Sequence, residues 1–149
     1  MKPILINIKL LIVFFAVSLN SCSSHKTNRI IGYCCVNCTK NSCYTITLKQ
    51  LIDSGEKFES KYIEVEGFLS LSFEDVAIYE SNKDRSNLQS KAAYWLNFND
   101  SLLACIDSKT AILHTQKVIV RGVVNSKRKG HLSAYSGEID NVFYVQIVK

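Results

Sequence analysis

The chain has 149 residues and one proline, and 47% of its residues are hydrophobic and 21% charged. This composition is typical of a globular protein and excludes an intrinsically disordered chain. The formal net charge of +5 is modest, and no concentrated basic face marks a nucleic-acid-binding protein. The length fits a single domain.

The first 21 residues have the pattern of a secretory signal peptide. Lys2 and Lys9 flank the start of an apolar run from Leu10 to Leu19, and this run is too short for a membrane-spanning helix. It leads into Leu19-Asn20-Ser21-Cys22, which resembles the lipobox of bacterial lipoproteins. The resemblance implies that residues 1–21 are cleaved off and that Cys22 is acylated. The alternative is an uncleaved N-terminal anchor helix.

A lipid anchor predicts a location in the cell envelope. Two or three acyl chains on one residue give stable membrane attachment, whereas a single chain gives only reversible attachment. Ser23 follows Cys22, where a retention signal would place aspartate. By analogy with enteric bacteria, we therefore expect the outer membrane, facing the periplasm. Cleavage removes two of the 18 basic side chains and none of the 13 acidic ones, which leaves a formal charge of +3.

Residues 22–45 are predicted to form a lipidated tether and a cysteine-rich arm. Apart from Cys22, the cysteines of the chain are Cys34, Cys35, Cys38, Cys43 and Cys105. Disulfides are the default for cysteines of an exported protein. The sequence leaves open which of the five stays unpaired and how the other four pair.

A metal site or a thiol redox centre is the alternative interpretation of this arm. Cys35 and Cys38 form a Cys-x-x-Cys motif, but no βαβ pattern surrounds it as in thioredoxin-like proteins. The cysteines from Cys34 to Cys43 are close together in the sequence, whereas zinc motifs place two ligand pairs on separate knuckles. We therefore expect structural disulfides and no cofactor, with a redox or metal-binding protein as the alternative.

Residues 46–149 are predicted to form one mainly β domain. Thr47 is placed to cap a short helix from Leu48 to Ser54, and Gly55 is placed to end it. From Tyr62 to Phe73 apolar and polar residues alternate, with Phe73 on the apolar face, and this predicts a long half-buried strand. Four further strands are predicted at Val76–Glu80, Ala93–Asn99, Lys117–Val124 and Ile139–Val148. The connections are a turn at Glu74-Asp75, a polar loop at Ser81–Lys91, an ambiguous segment at Leu102–Thr115 and a basic turn at Asn125–Gly130.

The strand count and two glycines favour a five-stranded OB-like β-barrel with one or two short helices. Residues 62–69 and 117–124 share an apolar scheme built around Gly67 in the first stretch and Gly122 in the second. A glycine inside a strand usually marks a bulge or a bend. A long first strand that bends at a glycine suits the OB-fold. A small antiparallel sandwich is the alternative.

Several stretches of this domain resemble an uncharacterised group of small bacterial proteins, which are often lipoproteins. The matching stretches are Tyr62–Leu69, Ser72–Glu74, Ala77–Tyr79, Lys129–His131 and Ser136–Ile139. These motifs are mostly fold signals. The resemblance therefore implies an OB-like domain and does not imply any particular activity.

The basic turn is the candidate ligand-binding surface, because it occupies one of the connections that frame ligand sites in OB-folds. Its predicted members are Lys127, Arg128, Lys129 and His131, with Trp95 and Tyr135, joined by Tyr79 and Tyr94, as a stacking surface. We interpret the protein as a monomeric, non-catalytic binding module for an envelope protein, a peptide or an anionic glycan, and not for nucleic acid. An enzyme that uses His131 is the alternative, although no catalytic motif accompanies that residue.

Overall fold

The computed structural model of the protein describes residues 43–148. Its strands are β1 (Tyr44–Thr47), β2 (Tyr62–Ser72), β3 (Asp75–Tyr79), β4 (Ala93–Phe98), β5 (Lys117–Asn125) and β6 (Gly137–Ile147). Its helices are α1 (Leu48–Ser54), α2 (Asn82–Ser86), α3 (Asp100–Asp107) and α4 (Thr110–Leu113), and short 3-10 turns lie at Gly55–Phe58, Ser90–Ala92 and His131–Ser133. The predicted signal peptide, the lipobox and most of the cysteine-rich arm lie outside the described residues.

The long strand β2 is the central element of the sheet. Its residues alternate in burial, and Ile63, Val65 and Leu69 are almost completely buried, as the alternation of apolar and polar residues predicts. β2 pairs antiparallel with β5 along its first part and with β3 along its last part, and the two partners meet at Phe68. One strand therefore serves two parts of the sheet.

The six strands form one mixed sheet in the order β1-β2-β3-β4-β6-β5, and β5 pairs with β2 as well. The pairs β1–β2 and β4–β6 are parallel, and the other neighbours are antiparallel. Within the described residues, each strand from β2 to β6 thus has at least two hydrogen-bonded neighbours, and β1 has one. The mainly β class predicted from the sequence is confirmed.

One large apolar core lies between the sheet and the helices. The helices contribute Leu48 and Leu51 from α1, Leu102 and Ile106 from α3, and Leu113 from α4, all of them at most 2% exposed. They belong to the same cluster as the inward-facing residues of the strands, including Ile63, Val65, Val118, Val120, Ile139 and Val145. A second, smaller cluster consists of Ala77, Tyr79, Ala93 and Tyr135, and it borders the candidate site described below.

The two strand glycines serve different purposes. Gly122 lies where the register of β5 against β6 shifts, as the sequence predicts. A bulge or a bend was predicted at Gly67; Gly67 pairs with β5 in regular register, so no bulge lies there. A Cβ at Gly67 would lie 2.6 Å from the carbonyl oxygen of Tyr79, and the glycine therefore allows the end of β3 to approach β2 closely.

The described residues contain six strands and not the predicted five. The additional strand, β1, pairs in parallel with β2, with Ile46 opposite Val65. Its four residues are too few to show a clear alternation, and its partner follows only after a helix. Residues 44 and 45 accordingly lie in the sheet, although the sequence assigned them to the arm at 22–45.

Helix α1 has the predicted bounds and the predicted N-cap. The Thr47 hydroxyl accepts a hydrogen bond from the Gln50 amide, and the Gln50 side chain accepts one from the Thr47 amide; together these bonds form a capping box. Gly55 does not end the helix in a left-handed conformation as predicted, because its φ is −53° and the chain continues into a 3-10 turn. A Cβ there would collide with the Tyr94 hydroxyl, which explains the glycine.

The connections also differ from the predictions. The polar loop after β3 contains α2, whose N-cap Ser81 accepts a hydrogen bond from the Asp84 amide, and the ambiguous segment forms α3 and α4. Phe73 was placed on the buried face but is 92% exposed, because β2 ends before it and the turn interrupts the alternation. Asp75 was placed in the turn, yet it begins β3 and is buried.

Candidate binding cleft

A cleft of about 330 Å³ lies beside β3, where three connecting segments meet. These segments are the turn between β2 and β3, the residues that follow α2, and the loop between β5 and β6. Asp75, Tyr79 and Tyr135 form its buried floor, and Phe73, Leu88 and Leu132 form its exposed rim. We call this feature the β3 cleft.

Two larger concavities lie elsewhere on the protein. One, of about 410 Å³, includes the end of α1, Tyr94 and Lys129. The other, of about 550 Å³, lies beside β1 and includes Glu66 and Lys117. The exposed large apolar residues at 73, 88 and 132 all line the β3 cleft, and no such residue lines either of the other two. Because exposed apolar surface inside a concavity is typical of ligand and partner sites, the β3 cleft is the candidate site.

The floor of the cleft is organised by the carboxylate of Asp75, which is 8% exposed. It accepts hydrogen bonds from the hydroxyls of Ser70 at 2.5 Å, Tyr79 at 2.7 Å and Tyr135 at 2.8 Å. Burial first, and then the hydrogen bond to Asp75, raises the pKa of both tyrosines, so both stay protonated donors at neutral pH. Among residues 43–148, no basic side chain forms an ion pair with Asp75. The floor of the cleft is therefore built around one carboxylate, which three neutral hydroxyl groups hold in place.

The rim of the cleft exposes large apolar side chains from an unusual backbone. Phe73, Leu88 and Leu132 are 92%, 66% and 84% exposed. Leu88 and Leu132 have φ angles of 51° and 52°, and Glu74 and Ser133 beside the cleft have angles of 60° and 57°. Left-handed backbone costs an L-residue other than glycine roughly 1–2 kcal/mol. Such strained residues concentrate at functional sites, and here the strain presents leucine side chains to solvent.

Three of the residues predicted to form the ligand surface come together at one end of the cleft. The Trp95 indole stacks on the His131 imidazole with a centroid distance of 6.1 Å, and it meets the Tyr135 ring edge to face at 5.3 Å. Gly130, with a φ of 64°, makes this possible, because a Cβ there would lie 2.6 Å from the Cβ of Trp95. His131 Nε2 lies 3.8 Å from the carboxylate of Glu74 across the cleft.

The basic turn at Lys127–Lys129 is tied into the fold. Arg128 Nε lies 3.1 Å from Oε2 of Glu138, a carboxylate that is only 4% exposed. Lys129 Nζ donates to the carbonyl oxygen of Ser136 at 2.5 Å. All three basic residues of the turn are exposed, but Arg128 and Lys129 interact with other groups of the protein. None of the three lines the β3 cleft.

A polar network beneath the turn fixes the position of Trp95. Asn97 accepts a hydrogen bond from the Trp95 indole at 3.0 Å and donates to Glu138 at 2.8 Å and to Asp140 at 2.7 Å. Glu138 also accepts from the Gly130 amide at 2.9 Å. This network was not predicted from the sequence, where its signal is the acidic pair Glu138 and Asp140 in a largely apolar strand.

The predicted stacking residues Tyr79 and Tyr94 do not present their rings to solvent, since each is 1% exposed. Tyr79 turns its hydroxyl to Asp75 in the cleft floor. Tyr94 lies in the main core, where its hydroxyl donates to the Leu51 carbonyl oxygen at 3.0 Å, and burial raises the pKa of Tyr94 to about 12. Tyr135 is only 5% exposed as well, so the prediction of an open surface of four aromatic residues is wrong for these three.

The cysteine predictions fall mostly outside the described residues. Cys22, Cys34, Cys35 and Cys38 lie outside them. Cys43 and Cys105 are not bonded to each other, and Cys105 lies on α3, away from the residues that line the cleft. Among residues 43–148, no three His, Cys, Asp or Glu side chains are grouped to hold a metal ion.

Residues missed by the sequence analysis supply most of the cleft. Asp75 looked like a turn residue and Phe73 like a core residue, while Leu88 and Leu132 were not considered. Isolated large apolar residues in polar loops were the available signal.

No helix among the described residues is long and apolar enough to cross a bilayer. No known protein family, curated protein or solved structure matches the chain.

Proposed function

We propose that the described residues form an OB-like β-barrel. The strand pairings support this, because they lead from β2 through β3, β4, β6 and β5 back to β2, in keeping with a five-stranded Greek-key barrel. α3 and α4 connect the third and fourth of these strands. The β3 cleft then lies between the first and the last hairpin connections of the barrel, the loops that frame ligand sites in this fold.

The function that this geometry supports best is that of a lipid-anchored, non-catalytic binding module whose ligand site is the β3 cleft. The observation that carries it is the apolar rim, in which Phe73, Leu88 and Leu132 are exposed although two of them need strained backbone. Folding alone gives no reason to combine exposure with strain, whereas a binding site does. The lipobox at Leu19–Cys22 supports the anchor and a place in the cell envelope.

Two features favour binding over catalysis. Both oxygens of the Asp75 carboxylate are engaged by hydroxyls, which leaves this carboxylate poorly placed as a general base. Ser70 is the candidate for a nucleophile, because its hydroxyl donates to Asp75. It is only 2% exposed, so a substrate could not reach it. The cleft therefore offers contact surface and fixed polar groups, and we favour an envelope protein or peptide over an anionic glycan as its ligand.

Site-specific photo-crosslinking in cells that produce the lipidated protein tests this function. A benzophenone amino acid replaces Phe73 or Leu132 at the cleft, and Ile112 on α4, which is 53% exposed, serves as the matched control. We expect a discrete protein adduct from positions 73 and 132 and none from position 112. Adducts of equal yield at all three positions, or none at the cleft, would overturn the proposal.

A further inference from the structure

We propose that the β3 cleft binds an extended peptide segment in which a large apolar side chain stands next to a lysine or arginine. This inference rests on the proposed function, since it names the ligand of that same site. The cleft combines an apolar rim with two carboxylates, and a cationic apolar segment complements both.

The charges around the cleft are opposite in sign to the charge of the chain. Glu74 and Asp75 line it, and His131 is its only basic side chain. The whole chain has a formal charge of +5. A local acidic site on a basic protein repels anions and attracts cationic groups, which disfavours phosphate-containing and acidic ligands.

Glu74 is the carboxylate available to a ligand. Its side chain is 56% exposed, and among the described residues its carboxylate oxygens accept no hydrogen bond. Its ion-pair partner is His131, whose Nε2 lies 3.8 Å away. Asp75, by contrast, is buried and saturated by three hydroxyls. A lysine or arginine at the mouth of the cleft can therefore bind Glu74 without breaking an existing hydrogen bond, and Asp75 adds an attractive field from below.

The apolar part of the ligand has a defined place. Phe73 lies beside Glu74 in the turn, and Leu88 and Leu132 approach from the other two segments. A volume of about 330 Å³ is at the small end of ligand pockets, so it suits one or two side chains of a peptide better than a folded surface. The rim and Glu74 are adjacent, and the two recognised side chains must therefore be close together in the ligand.

The test uses the mature lipidated protein in nanodiscs of zwitterionic phospholipid, applied to an array of random heptapeptides. Three variants are compared with the unchanged protein: Phe73→Ser with Leu132→Ser, Glu74→Gln, and Leu103→Ser with Ile112→Ser as the matched apolar control on the helices. We expect the unchanged protein and the helix control to enrich peptides that join a large apolar residue to lysine or arginine. Glu74→Gln should weaken binding of these peptides about three- to fivefold and leave uncharged apolar peptides unaffected.

The outcomes separate this inference from the proposed function. If the unchanged protein enriches no peptides beyond those retained by the Phe73→Ser, Leu132→Ser variant, the proposed function fails as well. If it enriches apolar peptides with no basic preference, or if Glu74→Gln retains that preference, only the present inference fails. A benzophenone at position 132 that labels the nanodisc phospholipid would show that the rim contacts lipid, and this too would overturn the inference.

Discussion

The basic turn at Lys127–Lys129 and the rim of the β3 cleft are neighbouring parts of one surface. They differ in whether their side chains have partners within the protein. In the turn, Arg128 pairs with Glu138 and Lys129 donates to a backbone carbonyl. At the rim, Phe73 and Leu132 lie almost fully in solvent. The cluster of charges that looks functional in the sequence is largely bonded within the protein, and the residues that look incidental are the exposed ones.

This difference follows from what each kind of side chain needs. A charged side chain is stable in water, so its exposure says little about function. A contiguous set of exposed large apolar side chains is unfavourable in water and needs a reason. Substitutions at Glu138, at the two cleft tyrosines and at Leu132 test this contrast between a structural turn and a binding rim.

The largest effect is expected for Glu138→Ala, because this change removes the carboxylate that holds the turn. It leaves the Gly130 amide and Arg128 without their acceptor, and it removes one of the two carboxylates to which the Asn97 amide group donates. We expect the free energy of unfolding to fall by about 3 kcal/mol, measured by urea denaturation. Lys127→Ala, at an exposed position, serves as the control and should change it by less than about 0.5 kcal/mol. A loss below about 1 kcal/mol for Glu138→Ala would mean that the turn is not held by this network.

A second effect concerns the cleft floor and appears at high pH. The pKa values of Tyr79 and Tyr135 are raised in the folded state, above the value of about 10 for an unfolded chain. Their contribution to stability is therefore complete below pH 10 and is lost as the pH rises further, by up to about 1.4 kcal/mol per pH unit for each tyrosine. Replacing both by phenylalanine should make the decline in unfolding free energy between pH 10 and 11.5 shallower. Identical slopes in the two proteins would show that these hydroxyls are not buried donors to Asp75.

The smallest effect is expected for Leu132→Gly, and its sign is the informative part. Glycine adopts a φ of 52° without the cost that leucine bears, although it adds conformational entropy to the unfolded chain. We expect a gain of about 0.5 kcal/mol, seen as a higher melting temperature, together with loss of ligand binding. Leu103→Gly, an exposed position inside α3, is the control and should lose about 1 kcal/mol. A loss of stability with Leu132→Gly would remove the argument from strain.

The parts of the fold that could be predicted are those with local signals. The alternation from residue 62 onward predicts β2, and Thr47 predicts the start of α1. Gly130 ends the predicted basic turn, and its φ of 64° is one that glycine adopts without strain. Each of these features depends on residues within one element or one turn, and the sequence shows such residues side by side.

The candidate site depends on contacts between distant residues, and for that reason it was predicted only in part. Asp75 and Tyr135 are 60 positions apart, and nothing near Asp75 indicates that its carboxylate is buried. In the sequence, Phe73 continues the alternation of β2 by one residue. In the structure β2 ends at Ser72, because the chain turns at Glu74, whose backbone is left-handed. Trp95, from the third predicted strand, contacts His131 and Tyr135 from the connection between the last two predicted strands, as the predicted ligand surface requires.

β1 and the β3 cleft lie at opposite ends of β2. Tyr44 pairs with Ile63 near the start of β2, whereas the cleft lies beyond Ser72, where β2 ends. At about 3.3 Å per residue, the path along the strand between these points is roughly 30 Å. The described chain enters the sheet at the near end of this strand, and the cleft lies at the far end. If Cys22 is acylated as proposed, a ligand meets the cleft at the end of β2 that is farther from the point where the chain enters the sheet.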